Sequence, residues 1–139
     1  MIEWTADRGI FTLGYFMMGF PTETEEEIRM TVDYAMRSKL HSAGFFYVNP
    51  FPNTELARHY PLPDNWEEEN PGMDYTAFSL NMSEVPDETI KHVFNQAYRR
   101  FHFQPGRMWR TFKVAPKNWY TLRSVAVIAM LSFFDLPNF

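Results

Sequence analysis

The sequence predicts an α/β fold: a strand, helix and second parallel strand, followed by a mostly α-helical region. Three observations lead there. Ile10-Phe11-Thr12-Leu13-Gly14-Tyr15-Phe16-Met17-Met18 is a nearly continuous apolar run, about one strand long and flanked by Gly9 and Gly19. Without polar alternation it reads as a strand buried on both faces. Thr24 with Glu27 three residues later forms a capping-box pattern, and Ile28, Val32, Ala35, Met36 and Leu40 then recur at three- and four-residue intervals. That is one apolar stripe on a helix. Finally, Ala43-Gly44-Phe45-Phe46-Tyr47-Val48-Asn49 repeats the strand signal. Strand, helix and strand joined by short turns make a crossover unit.

The remaining elements follow in order. Residues 1–8 read as the end of a helix, with Gly9 placed as its left-handed cap. Gly19-Phe20-Pro21-Thr22-Glu23-Thr24 is the turn into the central helix, whose first turn carries Glu25, Glu26 and Glu27 against the positive end of the helix dipole. Pro50-Phe51-Pro52-Asn53-Thr54 closes the second strand, and residues 55–60 suit one or two helical turns. Residues 61–86 turn to proline, acid and asparagine without periodicity, as in a lid or a connection between subdomains. From Asp87 a helix carries Ile90, Val93, Phe94, Ala97, Tyr98 and Phe101 on one stripe, until Gln104-Pro105-Gly106 breaks it. A shorter basic helix is expected over 107–113, and after Pro116 a third over about 118–134. The chain thus divides into the strand–helix units of 1–60, the acidic Pro-rich loop of 61–86 and the basic, aromatic helical region of 87–139.

Composition narrows the functional classes. The 139 residues are 45% hydrophobic and 18% aromatic, enough for one domain with a core. The longest apolar run, 125–131, falls far short of the roughly 20 residues that span a bilayer. No secretory signal opens the chain, so a cytoplasmic protein is expected. Cysteine is absent, which excludes disulfides, thiolate metal sites, cysteine nucleophiles and any iron–sulfur cluster held by this chain's own thiolates. The net charge of −4 conceals an asymmetry: five Lys/Arg face sixteen Asp/Glu up to residue 90, and eight face one from Lys91 onward. The two parts are expected to pair with each other or with other surfaces.

Candidate sites each carry a plainer reading. The turns after the two strands would line one rim at the carboxyl ends of a parallel sheet, where α/β folds place ligands. They also read as tight turns set by proline, with Glu23 either a ligand contact or a first-turn acid. His41, His59, His92 and His102 are scattered without metal-ligand spacing and read as core or surface residues. No nucleophile elbow, phosphate-binding loop or dinucleotide glycine motif occurs. Arg99, Arg100, Arg107, Arg110, Lys113, Lys117 and Arg123 alternate with Phe101, Phe103, Trp109, Phe112, Trp119 and Tyr120. The leading explanation is a helical core whose arginines face the acidic first part; a membrane surface comes second and nucleic acid last.

The stretch Gly14-Tyr15-Phe16-Met17-Met18-Gly19-Phe20-Pro21-Thr22-Glu23-Thr24-Glu25-Glu26 resembles the fifth strand and following helix of the radical S-adenosylmethionine (radical SAM) enzymes, most closely the subgroup with an N-terminal cobalamin-binding domain. Phe45-Phe46-Tyr47-Val48-Asn49-Pro50-Phe51-Pro52-Asn53-Thr54-Glu55-Leu56 is similar to the sixth strand and its turn. The likeness is tight over roughly residues 6–58 and looser through 97–105, which resemble the subgroup's helical tail. Thr22 and Asn53 stand where the family usually has glycine. Asn tolerates a left-handed conformation and Thr does so poorly, so an altered first turn is expected.

The resemblance implies the C-terminal portion of a partial (β/α)6 TIM-like barrel. In such enzymes a 4Fe-4S cluster on a Cys-x-x-x-Cys-x-x-Cys loop cleaves S-adenosylmethionine to a 5′-deoxyadenosyl radical; some members are cobalamin-dependent methyltransferases. Those cysteines would lie upstream of Met1, so no metal ligand and no catalytic residue is assigned within this chain. The resemblance implies cofactor binding by Met17 against the adenine, by Gly19 through close backbone approach, and by Val48 or Asn49 from the opposite side. The expected partners are the missing N-terminal part of the barrel, an electron donor and a small-molecule or lipid-like substrate, with peripheral membrane contact through the basic aromatic tail. Alone, the chain is expected to be inactive and prone to self-association through open strand edges. The rival reading is a non-catalytic binding or interaction module derived from the same half-barrel.

Overall fold

The structure is a computed structural model that describes residues 1–61, 65, 78, 80–116, 118, 119 and 123. Its elements in chain order are α1 (Ile2–Asp7), β1 (Leu13–Met18), α2 (Glu25–Arg37), β2 (Ser42–Tyr47), α3 (Glu55–His59), α4 (Asp87–His102) and α5 (Pro105–Val114). The loop of 61–86 falls largely, and the helix over 118–134 almost entirely, outside the described residues.

The local signals act as their chemistry dictates. Gly9, at φ +72°, ends α1 in a Schellman arrangement: its N–H donates to Ala6 O at 3.0 Å, and Ile10 N–H reaches Thr5 O at 3.3 Å. Thr24 caps α2 reciprocally, its own N–H donating to Glu27 Oε2 at 2.9 Å while its Oγ1 accepts from Glu27 N at 3.4 Å. Those backbone and side-chain bonds from Thr24 pull the Glu27 carboxyl below its usual pKa. The break at Gln104-Pro105 also starts a helix: α5 takes Pro105 at its first turn, where a missing N–H costs nothing.

β1 and β2 pair in parallel from Leu13↔Ser42 to Met18↔Tyr47, and Val48 N–H to Met18 O at 2.9 Å extends the ladder. Phe16, Met18, Ala43, Phe45 and Tyr47 lie on one face and join the core with Ile28, Val32 and Ala35 of α2 and Ile90, Val93, Phe94, Ala97 and Phe101 of α4. Gly14 shares that face because Leu40 Cδ1 already occupies the space of a Cβ there, at 2.5 Å. The other face differs from the expectation of a strand buried on both sides. Leu13, Tyr15 and Met17 are exposed, because the described core gathers against the opposite face only.

The basic region docks onto the first part, though not through ion pairs at its centre. Arg107, 1% exposed, lies 3.6 Å over the Phe101 ring and donates to Leu40 O, to Met36 O at 2.9 Å and to Ala35 O at 3.3 Å. It caps the carbonyl end of α2, where a cation also complements the helix dipole. Burial and neighbouring Arg110 push its pKa down to about 10, which leaves it charged at neutral pH. Thr111 Oγ1 adds a bond to His41 O at 2.9 Å. At the other end Lys39 holds both Asp7 oxygens at 2.9 Å, tying α1 to the turn after α2. Among the described residues no helix is long and apolar enough to cross a membrane.

Candidate functional site

Both strands run in one direction, so their carboxyl ends and the turns beyond them lie at one end of the sheet. Those two turns are built alike. In Phe20-Pro21-Thr22-Glu23, Glu23 N–H closes on Phe20 O at 3.0 Å and Thr22 sits at φ +64°. In Phe51-Pro52-Asn53-Thr54, Thr54 N–H closes on Phe51 O at 3.1 Å and Asn53 sits at φ +67°. Proline second, a left-handed residue third and a closing bond from the fourth are the marks of a type II turn. The third position calls for glycine. Asn53 adopts it at small cost, whereas branched Thr22 is strained by about 1–2 kcal/mol.

Each turn is then braced. The Glu23 carboxylate accepts from Gly19 N at 2.6 Å and Phe20 N at 3.1 Å, and Glu23 O accepts from Glu84 N at 3.0 Å. Glu23 precedes the Thr24 cap, so it is not a first-turn acid of α2; it fastens the turn. Thr54 Oγ1 instead donates to Phe51 O at 2.6 Å and accepts from Ala57 N at 3.2 Å, which caps α3.

The four residues assigned to cofactor contact occupy different environments. Met17, 46% exposed, is on the open face of β1. Gly19 is buried at φ +90°, and a Cβ there would lie 3.3 Å from Ile90 Cδ1. Backbone conformation by itself favours glycine there, and Ile90 of α4 adds a close neighbour. Val48 and Asn49 are both buried immediately after β2. Of the four, Met17 alone presents an accessible side chain.

Two neighbours of Met17 escaped the residue-by-residue reading. Register places Phe46 opposite Met17 and Gly44 opposite Tyr15, all on the open face. The Tyr15 and Phe46 rings are 5.6 Å apart, and both lean over Gly44, where a Cβ would come within 3.2 Å of Tyr15 and 2.7 Å of Phe46. The alternation of residues 13, 15 and 17 carried the signal, since every second residue of a strand shares a face. The result is an apolar, aromatic plate ending at the two turns, suited to flat apolar rings.

Titratable groups near the unit are structural. The His41 ring stacks on Phe11 at 5.5 Å, and its Nδ1 accepts from Thr12 N at 3.1 Å, with Thr12 Oγ1 at 2.8 Å. That bond assigns the neutral ring with its proton on Nε2. Burial, then Arg110 and Arg107, lower its pKa. The His102 pKa is lowered by burial as well. Tyr47 is packed between Phe94 at 4.3 Å and Phe78 at 5.0 Å, and burial raises its hydroxyl pKa. Among the described residues no group of three or more His, Cys, Asp or Glu could hold a metal ion.

No family model matches the chain, and no solved structure matches it. It is similar to an uncharacterized methyltransferase, PH0819, of Pyrococcus horikoshii: 30% identical over 104 residues, which are 70% of this chain and 21% of that protein. It is also similar to the ribosomal protein uS12 methylthiotransferase RimO of Proteus mirabilis: 32% identical over 76 residues, 55% of this chain and 16% of that protein. The chain thus spans about a fifth of the length of the first relative and less of the second.

Proposed function

We propose that this chain is the C-terminal part of a radical SAM enzyme, nearest to the cobalamin-binding subgroup, and that its open sheet face is one wall of the S-adenosylmethionine pocket in a partial (β/α)6 barrel. The observation that carries the reading is the pair of left-handed residues, Thr22 and Asn53, at the two positions where the resembling turns have glycine. A chance α/β unit has no reason to keep a glycine conformation at both places after losing both glycines. The methyltransferase and methylthiotransferase relatives fit a chemistry centred on S-adenosylmethionine.

The residues present fit the cofactor's apolar part. Met17, with Tyr15 and Phe46 beside it, would pack against the adenine, and the buried backbone at Gly19, Val48 and Asn49 would border it. When bound, S-adenosylmethionine supplies a methyl group or a 5′-deoxyadenosyl radical. This chain's share is to orient the nucleoside and exclude water from that side. A 4Fe-4S cluster does not fit these residues, because the chain has no cysteine, and the reading assigns its ligands to sequence outside the chain. Cobalamin likewise belongs to the subgroup's N-terminal domain.

The test is a titration of the chain with S-adenosylmethionine, followed through its methionine methyl and backbone amide resonances. Saturable shifts at Met17, Gly19, Val48 and Asn49, abolished by Met17→Asp, are expected. Lack of saturable binding would favour the interaction module instead. A stable cluster formed on this chain alone from iron and sulfide would contradict the placement of its ligands elsewhere.

A further inference from the structure

The solvent side of α5 carries large apolar side chains. Arg107 and Thr111 hold the helix to the C-terminal end of α2 and to His41, which turns Met108, Trp109 and Phe112 outward; Trp109 is 60% exposed. These three lie one helical turn apart or adjacent, so they form one patch, and Lys113 borders it with its Nζ 5.2 Å from the Trp109 ring centre. The sequence around the patch is basic. Eight Lys/Arg and no Asp/Glu occur from position 91 to 123, and exposed Arg99 and Arg100 end α4 just before α5 begins.

From this patch we infer that α5 docks on the surface of a bilayer containing anionic lipid, with Met108, Trp109 and Phe112 entering the headgroup boundary and the surrounding cations meeting phosphate and carboxylate headgroups. An exposed apolar helix face rimmed by Lys and Arg is the chemistry of an interfacial helix. Charge complementarity selects the occupant. A second copy docking through the same patch would set Lys113 against its own counterpart, which opposes docking. Single-stranded nucleic acid needs open aromatic faces on which bases stack, but Trp109 and Phe112 stack on each other, with centroids 6.0 Å apart and planes within 17°, and Lys113 lies over the Trp109 ring. Their outward edges suit lipid better than bases. This inference does not depend on the reading of the sheet's open face.

The test is co-sedimentation of the whole chain with phosphatidylcholine vesicles that do or do not contain phosphatidylserine. Binding to the anionic vesicles only, weakening as salt is added, is expected. Lys113→Ala should weaken partitioning about fivefold. The double variant W109S/F112S should weaken it by about tenfold or more, with the chain still folded by circular dichroism. Equal binding to neutral vesicles, no binding to anionic ones, or indifference to all three substitutions would overturn the inference. So would preferential binding of a single-stranded oligonucleotide, or a dimer that W109S/F112S dissolves.

Discussion

The covered face of the sheet holds Phe16, Met18, Phe45 and Tyr47, and the open face holds Leu13, Tyr15, Met17 and Phe46; the two are matched in hydrophobicity, yet Met18, Phe45 and Tyr47 are buried while Leu13, Tyr15 and Met17 are exposed. Phe45 is 2% exposed and Tyr15 is 68% exposed. On the first face each ring meets partners from α2 or α4, as Phe16 meets Tyr34 at 6.3 Å and Phe45 meets Phe101 at 6.1 Å. On the second, Tyr15 and Phe46 meet one another over a glycine. Hydrophobicity, then, marks both a core and an exposed surface. Among the described residues, what separates them is whether a helix packs against them.

This contrast predicts a steep asymmetry in stability. Phe45→Ala should cost about 3–5 kcal/mol in chemical denaturation, since a fully packed ring leaves a cavity that its neighbours fill incompletely. Tyr15→Ala should change stability by about 0.5 kcal/mol or less. Equal losses at the two positions would mean that the open face is covered in solution, for instance by a second copy. Arg107→Leu should cost about 2 kcal/mol, because Leu40 O, Met36 O and Ala35 O lose a charged donor within a closed contact. An unchanged midpoint would mean that packing over Phe101, and not carbonyl capping, holds α5 in place.

A smaller effect comes from pH. His41 and His102 have pKa values below 6.5 in the folded chain, so the unfolded chain takes up their protons first. The stability they contribute is fully present above the unfolded value of 6.5 and declines as the pH falls below it, levelling off once the folded pKa values are passed. His41→Asn/His102→Gln should flatten the denaturation midpoint between neutral and mildly acidic pH. The smallest effect separates the two turns. Thr22→Gly relieves about 1–2 kcal/mol of left-handed strain and loses up to about 1 kcal/mol to the freer unfolded chain, a net gain of about 0.5 kcal/mol, or about 2 °C in Tm. Asn53→Gly should be nearly neutral, because asparagine is already at ease there.

Much of the fold was legible because it is written in local chemistry. The capping box at Thr24 and Glu27, the Gly9 cap and the apolar stripe of α4 each depend on residues within about one turn of each other. At position 22 the expectation was an altered first turn, because Thr tolerates a left-handed conformation poorly; the structure keeps Thr22 left-handed at φ +64°, beside Asn53 at +67°. Less could be read of the candidate site. Met17 was assigned, while Tyr15 and Phe46 became its neighbours only once strand register was known. Gly19 was linked to a ligand, and its nearest obstacle proved to be Ile90, more than seventy residues away in sequence. Glu23 fits its turn so closely in hindsight because its carboxylate folds back onto two amides, which sequence spacing alone does not distinguish from outward display.

By itself the sequence determined the elements, their order, the parallel pairing implied by a helical crossover, and the absence of any thiolate. These follow from propensity, periodicity and composition, which act over a few residues or need no geometry. The tertiary structure decided which face of the sheet is core, that Arg107 satisfies α2 through carbonyls and not carboxylates, and that Trp109 and Phe112 look outward. Each of those depends on how distant segments pack, and a long-range contact is chosen by the total burial and pairing it permits, which no single segment encodes.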